Sequence, residues 1–314
     1  MSALTLFSVS DDACERLKPQ PFPLERDLQR LVEKHLEALL GVRFLASEYA
    51  TVGGRIDTLG LDENGYPVVL EYKRSQNDQV VMQGLFYIDW LARNKAAFTL
   101  LVQEKLGMEV ASSLDFSDLR LICIAESYSL YDLHGVQQIP RHIHLLRYHR
   151  YPGGLLLLEQ VGGVENGGRK KGLSAGPSPS PSGTISSSSG ATLSPGVALT
   201  SLDSLTHSEV GIQTTYAALE DFLFSLGPDV VRKPTQTYVA FRKVKNFACV
   251  QVLKGSLAPY LKLDPASVTL EVGFSRDVTN IGHIASGNLE LTLRTMEDLE
   301  KAKPLLQRAY DEGL

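Results

Sequence analysis

Apolar residues near the start of the chain recur every three or four positions, which is the spacing of one face of an α-helix. Within residues 23–41 these positions are Leu24, Leu28, Leu31, Val32, Leu36 and Leu39. Gly41 follows the last of them and is a favourable residue for ending a helix. Glu25 lies at the edge of the apolar stripe, whereas Glu33 lies on the polar face. The pattern predicts an amphipathic helix that carries one carboxylate at the border of the core.

Shorter segments with the apolar pattern typical of strands follow this helix. They cover residues 43–49, 55–61, 66–73, 97–103, 119–125, 142–147 and 155–160, and a second helical pattern covers 79–93. Strands and helices in this order are typical of a mixed α/β sheet with flanking helices.

The composition changes abruptly between residues 162 and 208, where Gly, Ser, Pro and Thr supply more than half of the residues. Such a stretch buries too little apolar surface to offset the entropy of ordering it, so we predict a flexible linker. It separates a domain of residues 1–161 from a smaller α+β domain of residues 209–314. In the smaller domain the pattern predicts helices at 216–226 and 296–310 and strands at 237–242, 247–253, 267–272 and 289–293. Few contacts are expected to cross so long a linker, and each domain is expected to fold alone.

Charge and composition exclude several classes of protein. The 31 basic and 36 acidic residues give a net charge of −5, which rules out a binder that depends on a global basic excess but leaves a local basic cleft open. No apolar run approaches the length of a transmembrane helix, and the N-terminus lacks the basic start of a signal peptide. Cys14, Cys123 and Cys249 are scattered and form neither a zinc motif nor a disulfide framework. The expected compartment is the cytoplasm, with no membrane partner.

Candidate chemistry is concentrated in two predicted strands that flank a polar turn at residues 62–65. The length of the turn decides which residues face each other. A two-residue turn would place Asp57 opposite Tyr72, with Glu71 on the other face. A three-residue turn places Asp57 opposite Glu71, and Gly65 suits the left-handed position that closes such a turn.

The three-residue turn also places Arg55 opposite Lys73. Because side chains alternate along a strand, Glu71 and Lys73 then share a face with Asp57, and two carboxylates and an ammonium group converge. The alternative is a solvated sheet face on which Glu71 pairs with Lys73, or Asp57 with Arg55, as ordinary surface salt bridges.

Such a group of side chains has a chemical use. Mg²⁺ takes oxygen ligands in octahedral geometry and usually keeps several waters. Asp57, Glu71 and the backbone carbonyl of Tyr72 could hold one or two such ions, which polarise a phosphate and lower the pKa of a bound water. Lys73 would orient the attacking water or neutralise charge on the phosphate. The cofactor we expect is therefore Mg²⁺ or Mn²⁺.

These elements resemble the PD-(D/E)XK nuclease superfamily, and most closely its branch of archaeal mismatch endonucleases and related bacterial proteins. The resemblance covers roughly residues 23–90. It is carried by Glu25 in LERDLQ, by Glu48 to Asp57 in EYATVGGRID, by Glu71 to Lys73 in LEYK, and by Gln83 to Tyr87 in QGLFY. One departure is Ile56, which stands where proline is common in this branch.

The resemblance implies an α/β restriction-endonuclease-like fold and metal-dependent hydrolysis of DNA phosphodiester bonds. It implies that Asp57 and Glu71 are metal ligands and that Lys73 is the catalytic lysine. It also implies that Glu25 reaches the metal, often through water, and that Gln83 contributes to the site or to DNA backbone contacts. Glu48 is either a further acidic contributor or a charge at a strand end.

A local basic cluster lies at residues 141–150, where it forms either a solvated strand edge or a rim that contacts phosphates. His142 and His144 alternate onto one face there. The residues we expect to contact nucleic acid are Arg55, Arg74, Arg141 and Arg147.

The second domain resembles a small domain of unknown function found in bacterial proteins, some of them labelled as predicted transport proteins. We expect it to act in recognition or regulation, through DNA or a partner protein, and the sequence leaves a homodimer open. Two other functions remain alternatives to a nuclease. One is a non-catalytic module that binds nucleic acid or protein on the same fold, and the other is an accessory protein linked to transport.

Overall fold

The computed structural model describes residues 5–74, 80–164, 201–206, 208–282 and 285–313. The strands are β1 (Leu6–Ser10), β2 (Ala13–Leu17), β3 (Val42–Thr51), β4 (Gly54–Asp62), β5 (Pro67–Lys73), β6 (Arg120–Ala125), β7 (His142–Tyr151), β8 (Leu155–Val164), β9 (Val231–Pro234), β10 (Val239–Arg242), β11 (Asn246–Leu253), β12 (Ser256–Leu261), β13 (Ser275–Asp277) and β14 (Leu289–Leu291). The helices are α1 (Glu25–Lys34), α2 (Leu36–Leu40), α3 (Val80–Arg93), α4 (Lys95–Leu106), α5 (Met108–Ser112), α6 (Leu130–Val136), α7 (Ser201–Thr206), α8 (Val210–Ser225) and α9 (Met296–Glu312).

A six-stranded mixed sheet with the strand order β3-β4-β5-β6-β7-β8 forms the centre of the first domain. Strands β5, β6 and β7 are parallel, and the other neighbours are antiparallel. The apolar stripe of α1, including Leu28 and Val32, packs on Val68 and Leu70 on one face of β5. Helix α3 covers the other face. Parallel strands that are buried on both faces have nearly continuous apolar sequences, and β5 and β6 follow this pattern. The predicted mixed sheet with flanking helices is confirmed.

The second domain is an antiparallel sheet with the strand order β13-β14-β12-β11-β10-β9. Helices α8 and α9 pack on one face through Leu219, Leu223, Leu299 and Leu306. A smaller apolar cluster that includes Tyr238 and Cys249 lies on the other face. The segregation of helices from an antiparallel sheet confirms the predicted α+β class.

Two predicted strands are wrong. Residues 97–103 lie in helix α4, whose buried side chains Phe98 and Val102 are one helical turn apart. Residue 267 ends a short 3₁₀ turn, Pro265–Ser267, and residues 268–272 form no strand. The hairpin β1–β2 was not predicted; its side chains are largely exposed, so no buried apolar face marks it in the sequence.

The predicted linker of residues 162–208 is ordered at both ends. Residues 162–164 extend β8, and 201–206 form α7, where the Ser201 hydroxyl donates to the Tyr238 carbonyl at 3.0 Å. Residues 165–200 lie outside the described residues. The linker prediction is therefore incorrect at its edges, because residues 162–164 pair with β7 of the first sheet and Ser201 bonds to the second domain.

The expectation of few contacts between the domains is wrong. Arg242 of β10 is fully buried, and its Nη1 lies 3.0 Å from Oδ2 of Asp62 in the first domain. Arg120 of β6 approaches the same oxygen at 2.9 Å and donates to the Val244 carbonyl at 2.5 Å. Val244 itself packs into the apolar cluster beneath α1 and α2. The second domain thus supplies a partner to a charge buried at one end of the first sheet, which would be costly to leave uncompensated.

The two histidines of the basic cluster belong to this junction. His142 and His144 are buried, so they form neither a solvated edge nor a phosphate rim, in contrast to both interpretations of the sequence. Nδ1 of His142 lies 2.6 Å from Asp118. Burial lowers the pKa of His142 to about 4, against the opposing effect of Asp118. Arg141, by contrast, is exposed.

Among the helices of the described ranges, none is long and apolar enough to cross a membrane.

Candidate active site

The hairpin β4–β5 has the register of the three-residue turn. Thr58 pairs with Leu70, and the Asp62 amide donates to the Tyr66 carbonyl at 2.9 Å, which leaves residues 63–65 as the turn. Gly65 has a φ of +84°. The predicted register and the left-handed Gly65 are therefore confirmed. One step beyond the Thr58–Leu70 pair, Asp57 faces Glu71.

Each carboxylate is held by the backbone of the opposite strand. Oδ2 of Asp57 accepts from the Tyr72 amide at 2.9 Å, and Oε1 of Glu71 accepts from the Asp57 amide at 3.3 Å. Glu71 is fully buried, and among the described residues its second oxygen, Oε2, has no hydrogen-bond partner. Two acidic side chains thus converge with one acceptor unused.

Burial makes both carboxylates difficult to ionise. It raises the pKa of Asp57 to about 6, although the Tyr72 amide and Lys73 act in the opposite direction. Burial and the neighbouring charge of Asp57 raise the pKa of Glu71 to about 9. Raised pKa values on two adjacent carboxyl groups mean that a bound proton or a nearby cation is favoured there.

Lys73 and Glu25 lie beside the pair. Nζ of Lys73 is 3.4 Å from Oε1 of Glu25, whose Oε2 accepts from the Arg74 amide at 3.1 Å. The Arg74 guanidinium donates to the Pro23 carbonyl at 2.6 Å. These contacts bind the first turn of α1 to the end of β5. They place Glu25, at the border of the apolar stripe, against Lys73.

Two further residues of α1 support the site and were missed from the sequence. Gln29 is buried and donates to the Asp57 carbonyl at 2.8 Å, and Glu33 accepts from the Thr58 hydroxyl at 2.6 Å. The available signal was the position of Gln29 directly after Leu28, at the edge of the buried stripe. Glu33 was assigned to the solvated face, and nothing in the sequence reveals its partner.

Glu48 is a third carboxylate near Asp57. The pairs Ser47–Thr58 and Tyr49–Ile56 flank it, so it faces Asp57 from β3. Its φ of +52° is uncommon for a residue with a side chain. Arg55, predicted to face Lys73, lies beyond the last β4–β5 pair, and its Nε is 3.5 Å from Glu48.

Gln83 is placed differently from the acidic residues. Its Nε2 lies 3.5 Å from the hydroxyl of Tyr87, one turn later on α3. Tyr87 is buried, and its hydroxyl packs so closely on the turn before β4 that a side chain at Gly54 would meet it at 2.6 Å. Gln83 thus lies on the helix that covers the site, and its role there stays a prediction.

The donor set fits a hard divalent cation. In the described part of the chain, no group of three or more His, Cys, Asp or Glu side chains is arranged to hold a metal ion. Mg²⁺ needs fewer protein ligands, since one or two carboxylates usually hold it together with waters and substrate phosphates. The unused Oε2 of Glu71 and the raised pKa of both carboxyl groups are the features that such an ion would relieve.

Sequence comparisons match part of each domain to a different family. Residues 24–121 match a family described as the Endonuclease NucS C-terminal domain, and residues 204–313 match a domain of unknown function, DUF5655. Endonuclease NucS of Aeropyrum pernix is 40% identical over 63 residues, which cover 19% of this chain and 24% of that enzyme. An uncharacterized protein of Haemophilus influenzae is 26% identical over 311 residues, covering 98% of this chain and 100% of its own length.

Two solved structures are also similar over part of the chain. The crystal structure of a repair endonuclease from Pyrococcus abyssi gives a TM-score of 0.28 at 20% identity, covering 43% of this chain and 51% of that one. A structure of an EndoMS–dsDNA complex gives 0.25 at 20% identity, covering 43% and 50%. The sequence matches support a NucS-like, nuclease-related fold for the first domain.

Proposed function

We propose that this protein is a metal-dependent nuclease of the PD-(D/E)XK type that hydrolyses DNA phosphodiester bonds. The observation that carries the proposal is the converging pair of carboxylates, the half-buried Asp57 and the fully buried Glu71, each bound to the backbone of the other strand. The match of residues 24–121 to an endonuclease domain adds support, because it contains both carboxylates and Lys73.

The proposed ligands of Mg²⁺ or Mn²⁺ are Asp57, Glu71 and the carbonyl of Tyr72, with Glu25 acting through water. When bound, the ion would polarise the scissile phosphate and lower the pKa of an attacking water. Asp57 and Glu71 would then be ionised, since a cation replaces the proton that burial otherwise favours.

The remaining side chains position the substrate and the lysine. Lys73 neutralises charge on the phosphate or orients the water, and Glu25 limits the positions of its ammonium group through the 3.4 Å contact. Gln29 fixes the backbone at Asp57. The proposed contacts to the DNA backbone are the arginines Arg55, Arg74, Arg141 and Arg147.

Incubation of the full chain with linear, circular and branched DNA in Mg²⁺, Mn²⁺ or EDTA tests the proposal. Asp57→Asn and Glu71→Gln should each abolish cleavage, and Lys73→Gln should reduce it by a factor on the order of 10² or more. Asp89→Asn is the matched control, because Asp89 is an exposed carboxylate on α3 paired only with nearby Arg93 among the ion pairs of the described chain.

Cleavage that continues undiminished in EDTA, or in Glu71→Gln, would contradict the metal mechanism. DNA binding without cleavage under any metal would instead support the non-catalytic alternative. Binding of a partner protein and formation of a homodimer stay predictions.

A further inference from the structure

A second polar site lies on the first domain, away from the carboxylate pair. It is a cavity of about 290 Å³ between strands β7 and β8 and the segment that leaves the β1–β2 hairpin. The charged and imidazole side chains in its wall are Arg16, Lys18, Arg147, His149 and Glu159. The sequence pattern singled out neither Arg16 nor Lys18. Both lie before the region that matches the endonuclease domain.

Two extended segments each supply two of these groups. Arg16 and Lys18 are separated by one residue, as are Arg147 and His149, so side-chain alternation directs each pair to the same side of its segment. The cavity therefore collects basic groups from both walls. Among the lining side chains, Arg16, Lys18 and Arg147 stand against Glu159, which is a formal excess of two positive charges.

Among the lining residues, Glu159 pairs with Arg147, and the charges of Arg16 and Lys18 are additional to that pair. Glu159 lies 3.4 Å from Nη1 of Arg147, and its side chain is 49% exposed. Because one of its partners is exposed, this ion pair contributes about 1 kcal/mol or less. Arg16 and Lys18 are exposed at the mouth of the cavity. The arrangement suits an anion larger and more highly charged than one carboxylate, and phosphate oxygens accept from arginine forks and lysines.

The cavity and the carboxylate pair occupy the same face of the same sheet. Ladder pairs join Lys73 to Ala125 and Ala125 to Arg147, and aligned residues of neighbouring strands point to one face. Neighbouring strands are about 4.8 Å apart, so the backbone of Arg147 lies about 10 Å from that of Lys73. A separation of this size places the two sites within a few nucleotides of each other on one DNA strand.

We propose that this cavity binds a backbone phosphate of the same DNA strand whose scissile bond lies at Asp57 and Glu71. The proposal rests on the proposed nuclease function and adds to it a built site, in which Arg16, Lys18 and His149 join the arginine already expected to contact DNA. The site fixes the register of the strand without reading its sequence, because phosphate contacts position a substrate and base contacts specify it.

The test is DNA binding by the full chain in EDTA, measured by fluorescence anisotropy over a range of salt concentrations. The double variant Arg16→Gln with Lys18→Gln should lower the slope of log K against log salt by about 1–2 and weaken binding several-fold. The matched control is Arg30→Gln with Lys34→Gln, which removes one exposed arginine and one exposed lysine from α1 outside the cavity. It should change the slope by less than half as much.

A strand with one neutral methylphosphonate linkage locates the contact. When the neutral linkage is moved along the strand, it should weaken binding to the wild type at one position within a few nucleotides of the cleaved bond. At that position it should have no further effect on the double variant. Equal slope changes in the double variant and its control would overturn the proposal, as would stabilisation by inorganic phosphate with no effect of the neutral linkage. A wild-type chain that binds no DNA would reject the proposed nuclease function itself, an outcome distinct from both.

Discussion

At the scale of single residues, the site is governed by the competition between burial and ionisation. Glu71 is fully buried, and its pKa is raised to about 9 by burial first and by Asp57 second. Its neutral form is therefore favoured in the folded chain, and its charged form in the unfolded chain at neutral pH. Stability from this group is present below its ordinary pKa and is lost as pH rises towards the folded value.

We predict that the metal-free protein loses about 2 kcal/mol of unfolding free energy between pH 7 and pH 8.5 through Glu71 alone. His142 does not contribute to the change in stability between pH 7 and pH 8.5. Its pKa is lowered to about 4, so it affects stability only below the ordinary histidine pKa. Urea denaturation in EDTA at several pH values measures the effect.

The variant Glu71→Gln serves as the reference for this prediction, since it keeps the shape but cannot ionise. Its unfolding free energy should fall less with pH than that of the wild type, and Mg²⁺ should raise the melting temperature of the wild type only. Identical pH profiles for the two proteins would mean that Glu71 is ionised without difficulty in the folded chain.

The residue scale also shows what the sequence could reveal about the site. The pairing of Asp57 with Glu71 follows from turn length and Gly65, which are local properties. The bond from Gln29 to the Asp57 carbonyl joins residues 28 positions apart and depends on how α1 crosses the sheet. No local pattern encodes that crossing, so the supporting residues were missed while the central pair was found.

At the scale of elements, the turn between β4 and β5 holds the two acidic strands in register. Gly65 has a φ of +84°, and a β-carbon there would lie 3.0 Å from the Ser113 carbonyl. We predict that Gly65→Ala costs about 1–2 kcal/mol of unfolding free energy, because a side chain is strained in that conformation. Urea denaturation of the full chain measures this cost.

Gly135→Ala is the matched control for the turn. Gly135 lies within α6, with nothing within 4 Å of a β-carbon, and alanine favours a helix. The same substitution should therefore stabilise the protein there by up to about 1 kcal/mol. Two changes of the same sign and size would show that the conformation of Gly65 is unimportant.

The error at residues 97–103 has a physical cause at this scale. An apolar run of this length suits a buried strand or a buried helix, and periodicity alone does not separate them. Phe98 and Val102 are buried at helical spacing in α4, while Leu100 is 65% exposed. The helix forms because only some of these apolar residues pack on the sheet. That choice depends on tertiary contacts, which the local pattern does not contain.

At the scale of the molecule, the two domains share a buried ionic junction that was not predicted from the sequence. Asp118 and His142 pair within the first domain, and Arg242 reaches Asp118 from the second domain through the packing of the two sheets. Burial disfavours the charge on Asp118, yet hydrogen bonds and charges from His142 and Lys233 outweigh it and hold the pKa of Asp118 well below its usual range. The long polar segment between the domains suggested that each domain folds independently. The junction shows instead that buried charges of one domain have their partners in the other.

The junction leads to a prediction about cooperativity, because removing one partner from a buried ion pair leaves the others uncompensated. Arg242→Met should destabilise the full chain by about 3 kcal/mol, with Arg120 still compensating Asp62 in part. Calorimetry should show one unfolding transition for the wild type and a lower or divided transition for the variant.

Arg93→Met is the control, because that side chain is 76% exposed in its pair with Asp89 and its loss should cost less than about 1 kcal/mol. Two separate transitions in the wild type, or equal shifts in both variants, would mean that the buried arginine does not couple the domains.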